Sequence, residues 1–311
     1  MTEKNLYDEA AKKMVYDISK VIFPVIREVF GVEYPTDSRI EPLATEYIIR
    51  DSGTGQMRQI FNDITFRIQK DIYHIECQLD EDGDMEIRML EYDFHVALDY
   101  TQERKEGEQI RYIRFPKSAV LYLQNGKNTP EKLKCVICFP DGEMKEYTVP
   151  AVKVQSYSLE EIEERQLEMF IPFLPLRFRK RLRTKTKKPT EEEVRNFFSE
   201  ILLILNRAVL SEYFTENEIE DIIVLLNKVS RRVFQGHKEL REVADKMTKS
   251  VIKFPREIVA EQKEEIRRLK EEKELEIKRR DEEISEKNEE LVKRDEEIFR
   301  LRAELAEMKQ A

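Results

Sequence analysis

Two short segments of the chain carry acidic and amide side chains at a spacing that would bring them together. Asp63 lies in residues 61–68, and Glu76 and Gln78 lie in residues 71–79. Both segments alternate apolar and polar residues with a period of two, which is typical of a half-buried β-strand. Two adjacent carboxylates repel each other, and a hard cation such as Mg²⁺, bound through oxygen atoms, relieves that repulsion. The spacing therefore predicts a candidate metal site.

The link between the two predicted strands, Gln69–Lys70–Asp71, is short and polar, which indicates a hairpin. In such a hairpin Asp63, Glu76 and Gln78 would share one polar face with His74. We expect this face to be exposed, so that alanine at either acidic position would leave the fold intact. Acidic residues on an outer strand face are most often simply solvated, and a histidine beside them is more often a neutral hydrogen-bonding neighbour. The hairpin and the shared face favour a functional site.

A helix is predicted over residues 85–100, directly after these strands. Arg88 and Tyr92 are one turn apart on it, on a face from which they could reach the carboxylates. The apolar residues predicted to form its buried stripe are Ile87, Leu90, Phe94, Ala97 and Leu98.

The elements around the candidate site predict a mixed α/β domain. Residues 8–30 have the apolar spacing of a helix that Pro24 would bend or split. Further strands are predicted over residues 45–50, 118–123, 133–139 and 145–149, each bounded by glycine or proline turns. This order of helix, strands, helix and strands predicts a mixed sheet flanked by helices over about residues 10 to 175.

The chain changes character after this domain, and we divide it into 1–176, a basic linker at 177–189, a helical region at 190–255 and a charged coiled coil at 256–311. The basic segment either contacts nucleic-acid phosphates or is a plain solvated linker. The cations that would make such contacts are Arg177, Arg179, Lys180, Arg181 and Arg183.

The C-terminal segment repeats an apolar residue every seven positions, which is the pattern of a coiled coil. The companion core position holds Arg280, Lys287 and Arg294, so the seam would bury little apolar area. We therefore expect a weak homodimer. The residues of the seven-residue series are Ile277, Ile284, Leu291, Ile298 and Leu305.

Composition and charge limit the possible classes of protein. The chain has 311 residues, of which 38% are charged, and a net charge of -9. That charge argues against a general nucleic-acid coat but allows a local basic groove. No apolar stretch reaches the roughly 20 residues of a membrane span, and the N-terminus lacks a signal-peptide core. We expect a soluble, cytoplasmic protein without a membrane partner.

A distributed motif carries a resemblance to a known family. Asp63, Glu76-x-Gln78 and Met85-x-x-Arg88-Met89-x-x-Tyr92 stand in the order found in the PD-(D/E)xK nuclease superfamily. Within it, the chain most resembles the recombination-promoting nuclease and transposase group, over about residues 15 to 180. The resemblance implies a restriction-endonuclease-like α/β fold and metal-dependent endonuclease cleavage of DNA.

The resemblance also implies roles for individual residues. Asp63 and Glu76 would hold Mg²⁺ or Mn²⁺, and Gln78 would orient the attacking water. Arg88 would pair with a phosphate oxygen, and Tyr92 would bond a site carboxylate or the DNA backbone, with His74 supporting.

The chain departs from the superfamily pattern at three places. Gln78 stands where lysine is the usual residue, and Asn62 stands where a proline precedes the aspartate. The helix-borne glutamate of many relatives has two candidates, Glu28 and Glu46. These departures keep two alternatives open, a catalytically inactive DNA-binding relative and a scaffold protein that acts through its coiled coil.

Overall fold

The structure is a computed structural model that describes residues 3–44, 46–50, 57–61, 63–80, 83–104, 109–126, 128–184, 187–252, 267–268, 271–280, 287 and 294. The chain forms two compact units, residues 1–253 and 254–311. In the second unit the described residues are helical and exposed, Ile277 among them. The other apolar positions of the seven-residue series lie outside the described residues.

Two helices open the first unit, α1 (Glu3–Asp17) and α2 (Ile22–Phe30), with a 3₁₀ turn at Ser19–Val21 between them. The single helix predicted for this stretch is therefore split upstream of Pro24. Pro24 lies in the first turn of α2, where backbone N–H groups have no intrahelical partner, so its missing N–H costs little. Gly31 ends α2 with φ of 65°, a left-handed conformation that glycine adopts without strain.

Six strands form one mixed sheet, which confirms the α/β class. The described strands are β1 (Ile40–Pro42), β2 (Glu46–Arg50), β3 (Met57–Phe61), β4 (Ile64–Ile68), β5 (Asp71–Gln78), β6 (Glu103–Arg104), β7 (Arg111–Tyr112), β8 (Lys117–Tyr122), β9 (Lys132–Cys138) and β10 (Met144–Lys153). The order in the six-stranded sheet is β1, β4, β5, β8, β10, β9, with β5, β8 and β10 parallel and the other pairs antiparallel. Two further pairs, β2 with β3 and β6 with β7, form separate ribbons.

Helices cover both faces of the centre of this sheet. On one face Tyr73 of β5 packs against Phe30 of α2, with ring centroids 5.5 Å apart. On the other, α3 (Met85–Tyr100) packs Met85 and Met89 against residues of β8 and β10. A connection between parallel strands such as β5 and β8 has to cross over the sheet, and here α3 makes the crossing. The polar face of β5 therefore lies under a helix.

The inward face of α3 differs from the predicted stripe. Of the five residues predicted to be buried, Ile87 and Phe94 are 53% and 45% exposed. One inward position, Asp93, is charged because it bonds to polar groups of the sheet, and hydrophobic spacing alone cannot identify such a residue. The buried residues are Met85, Met89, Tyr92, Asp93, Val96 and Ala97.

The rest of the first unit is helical. Its helices are α4 (Leu159–Arg165), α5 (Arg179–Leu182), α6 (Glu191–Leu210), α7 (Glu216–Val233) and α8 (Lys238–Ile252), with a short 3₁₀ turn at Val154–Ser156. A 3₁₀ segment, Glu168–Phe178, packs against α7, and α6 and α7 both pack against α8. The described residues of the three predicted segments up to residue 252 thus pack together, because the apolar faces of these helices cover one another and the 3₁₀ segment. Among the helices that the structure describes, none combines the length and apolar composition that crossing a membrane requires.

Candidate functional site

The β4–β5 hairpin brings Asp63 and Glu76 together, as the alternation predicts. Its register pairs Thr65 with His74, so Asp63 lies opposite Glu76 one step further along the face. The backbone N–H of Asp63 donates to Oε1 of Glu76 at 2.9 Å. Oδ2 of Asp63 accepts from the backbone N–H of Cys77 at 2.8 Å. Each carboxylate is therefore fixed by the strand that carries the other.

The expectation that this face is exposed is wrong. Asp63, Glu76 and Gln78 are only 6%, 1% and 5% exposed, and His74 is fully buried. The helix α3 covers the row, so these polar groups depend on one another for hydrogen bonds. Removing one of the carboxylates would leave buried donors without partners, which is costly. Alanine substitutions at Asp63 and Glu76 are therefore expected to disturb the fold, contrary to the prediction from sequence.

His74 lies between two carboxylates. Its Nε2 is 3.0 Å from Oε1 of Glu76, and its Nδ1 is 2.6 Å from Oδ1 of Asp93. Burial lowers the pKa of His74, but the hydrogen bonds to Asp93 and Glu76 outweigh burial and raise the pKa to about 10. The ring is an imidazolium at neutral pH, with both nitrogens donating. His74 is thus charged, not the neutral neighbour expected from sequence, and it has no free nitrogen to act as a general base.

Asp93 is a site residue that the sequence analysis missed. Its Oδ1 accepts from His74 and from the Ser118 hydroxyl at 2.7 Å, and its Oδ2 accepts from the Tyr147 hydroxyl at 2.5 Å. The side chain is almost completely buried. One signal could have found it: Asp93 continues the four-residue series of Met85 and Met89, so it faces the sheet with them.

Arg88 lies beside Glu76, and Tyr92 lies next to Arg88 and to the ring of His74. Nη2 of Arg88 is 3.9 Å from Oε2 of Glu76, and Nε of Arg88 donates to the Tyr92 hydroxyl at 3.3 Å. The Tyr92 ring meets the His74 ring edge-on, with centroids 5.9 Å apart. The guanidinium is partly exposed, so a cation stands where the buried acidic row meets solvent.

Three buried polar atoms of this face have no hydrogen-bond partner within the described part of the chain. They are Oε2 of Glu76, Nε2 of Gln78 and Oγ1 of Thr65. Buried polar atoms are rarely left without a partner, so a group of them marks a place where a ligand, ion or water could bind. Because Mg²⁺ needs only one or two carboxylates, with water and phosphate completing its shell, Glu76 and Asp63 fit such an ion. Within the described ranges, no group of three or more histidine, cysteine or acidic residues could hold a metal.

Glu28 and Glu46 are the two candidates for a third carboxylate, and the structure describes the side chain of Glu28 only. Oε1 of Glu28 accepts from Arg165 at 2.6 Å and from the Tyr157 hydroxyl at 3.0 Å. These contacts tie Glu28 to α4 and the turn before it, and among the described contacts none joins it to Asp63 or Glu76. The side chain of Glu46 lies outside what the structure describes.

The predicted DNA-binding cations fall into two groups. Arg177 donates to Gln155 and to the backbone carbonyl of Tyr157, Arg179 donates to Asp80 and Gln124, and Arg181 pairs with Glu193. Lys180 and Arg183 are exposed, with Lys180 bonding only the backbone carbonyl of Asn125 among the described contacts.

The comparisons with known proteins give no neighbour for this chain. No protein-family model matches it, no curated protein matches it, and no solved structure matches it. The family resemblance therefore rests on the ordered motif residues of the sequence alone.

Proposed function

We propose that this chain is a metal-dependent endonuclease that hydrolyses phosphodiester bonds of DNA, on a restriction-endonuclease-like fold. The observation that carries the proposal is the pairing of Asp63 and Glu76 across the β4–β5 hairpin. Oε2 of Glu76 and Nε2 of Gln78 lie buried beside them without hydrogen-bond partners in the described part of the chain. A pair of carboxylates, an amide two residues on and a nearby arginine is a set that suits phosphate chemistry. The order of these residues along the chain supports the assignment to the PD-(D/E)xK superfamily.

Asp63 and Glu76 would hold the metal ion, Mg²⁺ or Mn²⁺. When bound, the ion supplies a water of lowered pKa and neutralises negative charge on the phosphate. Glu76 has one oxygen already engaged by the N–H of Asp63 and by His74, so Oε2 is the oxygen left for this purpose.

The remaining site residues bind and orient. Gln78 can donate a hydrogen bond to the water or to a phosphate oxygen, but an amide cannot take a proton near neutral pH. Both ring nitrogens of His74 are already bonded to carboxylates, so the proton of the attacking water would go to bulk solvent or to the phosphate. Arg88 places a positive charge 3.9 Å from Glu76, where it can also pair with a phosphate oxygen. Tyr92 holds that arginine through its hydroxyl.

Cleavage of supercoiled plasmid tests the proposal. The chain should nick the plasmid in Mg²⁺ or Mn²⁺ but not in EDTA. Asp63→Asn and Glu76→Gln keep the shape of each side chain. Loss of a residue that only supports a metal ligand typically lowers activity by roughly 10- to 100-fold, and we expect each of these two variants to lower the cleavage rate by more than that. Asp99→Asn makes the same chemical change at an exposed position of α3 and should cut normally.

The plasmid assay also separates the alternatives. Retention of DNA in EDTA without cutting in either metal would identify a DNA-binding relative that has lost catalysis. No affinity for DNA at all would favour a scaffold protein. Wild-type rates in Asp63→Asn would refute the site assignment.

DNA is expected to pass from the carboxylates towards α5, since α5 contacts the residues that directly follow β5 and β8. Arg179, the first residue of α5, contacts Asp80, which follows Gln78 by two positions. Lys180 and Arg183 are exposed on and beside this helix, whereas Arg177, Arg179 and Arg181 bond to side chains of the protein. Of these five cations, Lys180 and Arg183 are therefore the ones whose charge is open to phosphates.

Replacing Lys180 and Arg183 together with alanine should weaken DNA binding for all sequences. Each lost phosphate contact removes about 0.9 from the slope of log K against log salt, so the slope should decrease by roughly 1.8. Fluorescence anisotropy across a salt series measures the change. Lys145→Ala with Lys238→Ala removes two exposed cations of β10 and α8 and should leave the slope unchanged. Equal slopes for all three proteins would mean that the run is only a linker.

The weak homodimer through residues 256–311 stays a prediction. Most of the seven-residue series that would form its seam lies outside the described residues. A dimer would pair two cleavage sites, which suits the cutting of both DNA strands.

A further inference from the structure

We propose that Asp93 is a positioning residue for the cleavage reaction, acting through His74 on the carboxylate of Glu76. This inference rests on the proposed function, because it concerns the orientation of a residue assigned there to the metal. It adds a residue that the motif of the superfamily does not contain.

Asp93 is the point where several elements of the sheet and α3 are joined. Three donors converge on its two oxygens: Nδ1 of His74 at 2.6 Å, the hydroxyl of Ser118 at 2.7 Å and the hydroxyl of Tyr147 at 2.5 Å. The donors come from β5, β8 and β10, and Asp93 itself comes from α3. A carboxylate that accepts three hydrogen bonds in the protein interior has little freedom to rotate. Its position is fixed by the central strands of the fold.

His74 links Asp93 to Glu76 through hydrogen bonds of its two ring nitrogens. With Nδ1 bonded to Asp93, the ring presents Nε2 to Oε1 of Glu76 at 3.0 Å. The same oxygen accepts from the backbone N–H of Asp63 at 2.9 Å. Two donors on one oxygen restrict rotation of the Glu76 carboxylate, since turning it would break both hydrogen bonds.

The two oxygens of Glu76 are thereby made different. Oε1 has two protein donors, whereas Oε2 has no hydrogen-bond partner in the described part of the chain and lies 3.9 Å from Nη2 of Arg88. A network that served only stability would be expected to use both oxygens, because an unsatisfied buried oxygen costs free energy. A carboxylate that binds a metal ion reversibly needs one oxygen held by the protein and the other open to the ion, and Oε1 and Oε2 of Glu76 fit these two roles. Partners of this kind around a metal ligand typically contribute 10- to 100-fold to metal affinity or activity.

The test compares Asp93→Asn with two other variants in the full-length protein. The asparagine keeps the size of the side chain but replaces one acceptor oxygen by an amide, which weakens the hold on His74. Asp245→Asn is the control for loss of a structural carboxylate, since Asp245 bonds Asn227 and Arg231 between α7 and α8. Tyr147→Phe removes one of the three donors to Asp93 and leaves its bond to His74.

Two quantities are measured for each protein. The first is plasmid cleavage, resolved into kcat and KM for DNA. The second is the affinity for Mn²⁺ alone, without DNA, by electron paramagnetic resonance. We expect Asp93→Asn to lower kcat and the Mn²⁺ affinity by about 10- to 100-fold with KM unchanged, and Tyr147→Phe to have a smaller effect on both. Asp245→Asn should lower the melting temperature without changing either quantity.

Wild-type kcat and Mn²⁺ affinity in Asp93→Asn would overturn the positioning role while the proposed function stands. Equal losses in Asp245→Asn and Asp93→Asn would also overturn it, because the losses would then follow stability. A wild-type protein that neither cuts plasmid nor binds Mn²⁺ would refute the proposed function, and the positioning role would fail with it.

Discussion

Replacing Glu76 with alanine should lower the free energy of unfolding by about 3 to 5 kcal/mol, in addition to removing activity. Glu76 is buried, and its Oε1 accepts from both the imidazolium of His74 and the backbone N–H of Asp63. Its removal leaves a buried positive charge with one partner fewer and deprives a buried backbone donor of this acceptor. An isolated charge in the protein interior is far more costly than the pair it came from.

Glu76→Gln is the matched control, because its amide oxygen can still accept both hydrogen bonds. We expect the glutamine variant to lose activity with a much smaller loss of stability. Urea unfolding at pH 7 measures the difference between the two variants. An alanine variant as stable as the wild type would mean that the acidic row is solvated, as the sequence analysis expected, and that α3 does not cover it.

The second large effect is a fall in stability with rising pH, caused by His74. The folded state raises the pKa of His74 from the ordinary value of 6.5 to about 10. A group with a raised pKa contributes its full stabilisation below pH 6.5 and loses it as the pH rises towards 10. Between pH 7.5 and 9 the free energy of unfolding should therefore fall by up to about 1.4 kcal/mol per pH unit.

Two other buried groups with a raised pKa contribute little to the slope between pH 7.5 and 9. Burial raises the pKa of Glu168 to about 7, so its own contribution to the slope is nearly complete by pH 7.5. Burial also raises the pKa of the Cys77 thiol above its ordinary value of 9.0, so its effect comes later. Urea unfolding at several pH values should show the free energy of unfolding falling with pH in the wild type and staying nearly constant in His74→Asn.

Nitrogen-15 spectra provide a test that needs no variant. The chain has three histidines, so the ring signals are few. Both ring nitrogens of His74 should be protonated at pH 8. A neutral ring at that pH would contradict the charged arrangement between Asp93 and Glu76.

Local patterns in the sequence determine the hairpin and with it the acidic pair. Asp63 and Glu76 are only 13 residues apart, and strict alternation around a short turn leaves one register that buries the apolar face. The end of α2 at Gly31 is also local, because it depends on the conformational freedom of a single residue. The α/β class follows from the order of such segments.

The tertiary structure alone decided that the polar face of the hairpin is buried as well as the apolar face. Alternation shows that one face of a strand is polar, but it cannot show that α3 crosses back over that face. Once covered, the polar row needs partners, and these come from distant parts of the chain. Asp93 lies 19 residues from His74, and Tyr147 lies 54 residues from Asp93.

The basic run illustrates the same limit. A sequence shows the cations of residues 177–183 but not the carboxylates and carbonyls that meet them. Arg179 pairs with Asp80, which lies 99 residues away. Charge patterns depend on composition, whereas ion pairing depends on the packing that brings distant segments together. That packing leaves Lys180 and Arg183 exposed, covers Glu76 and makes Asp93 part of the site.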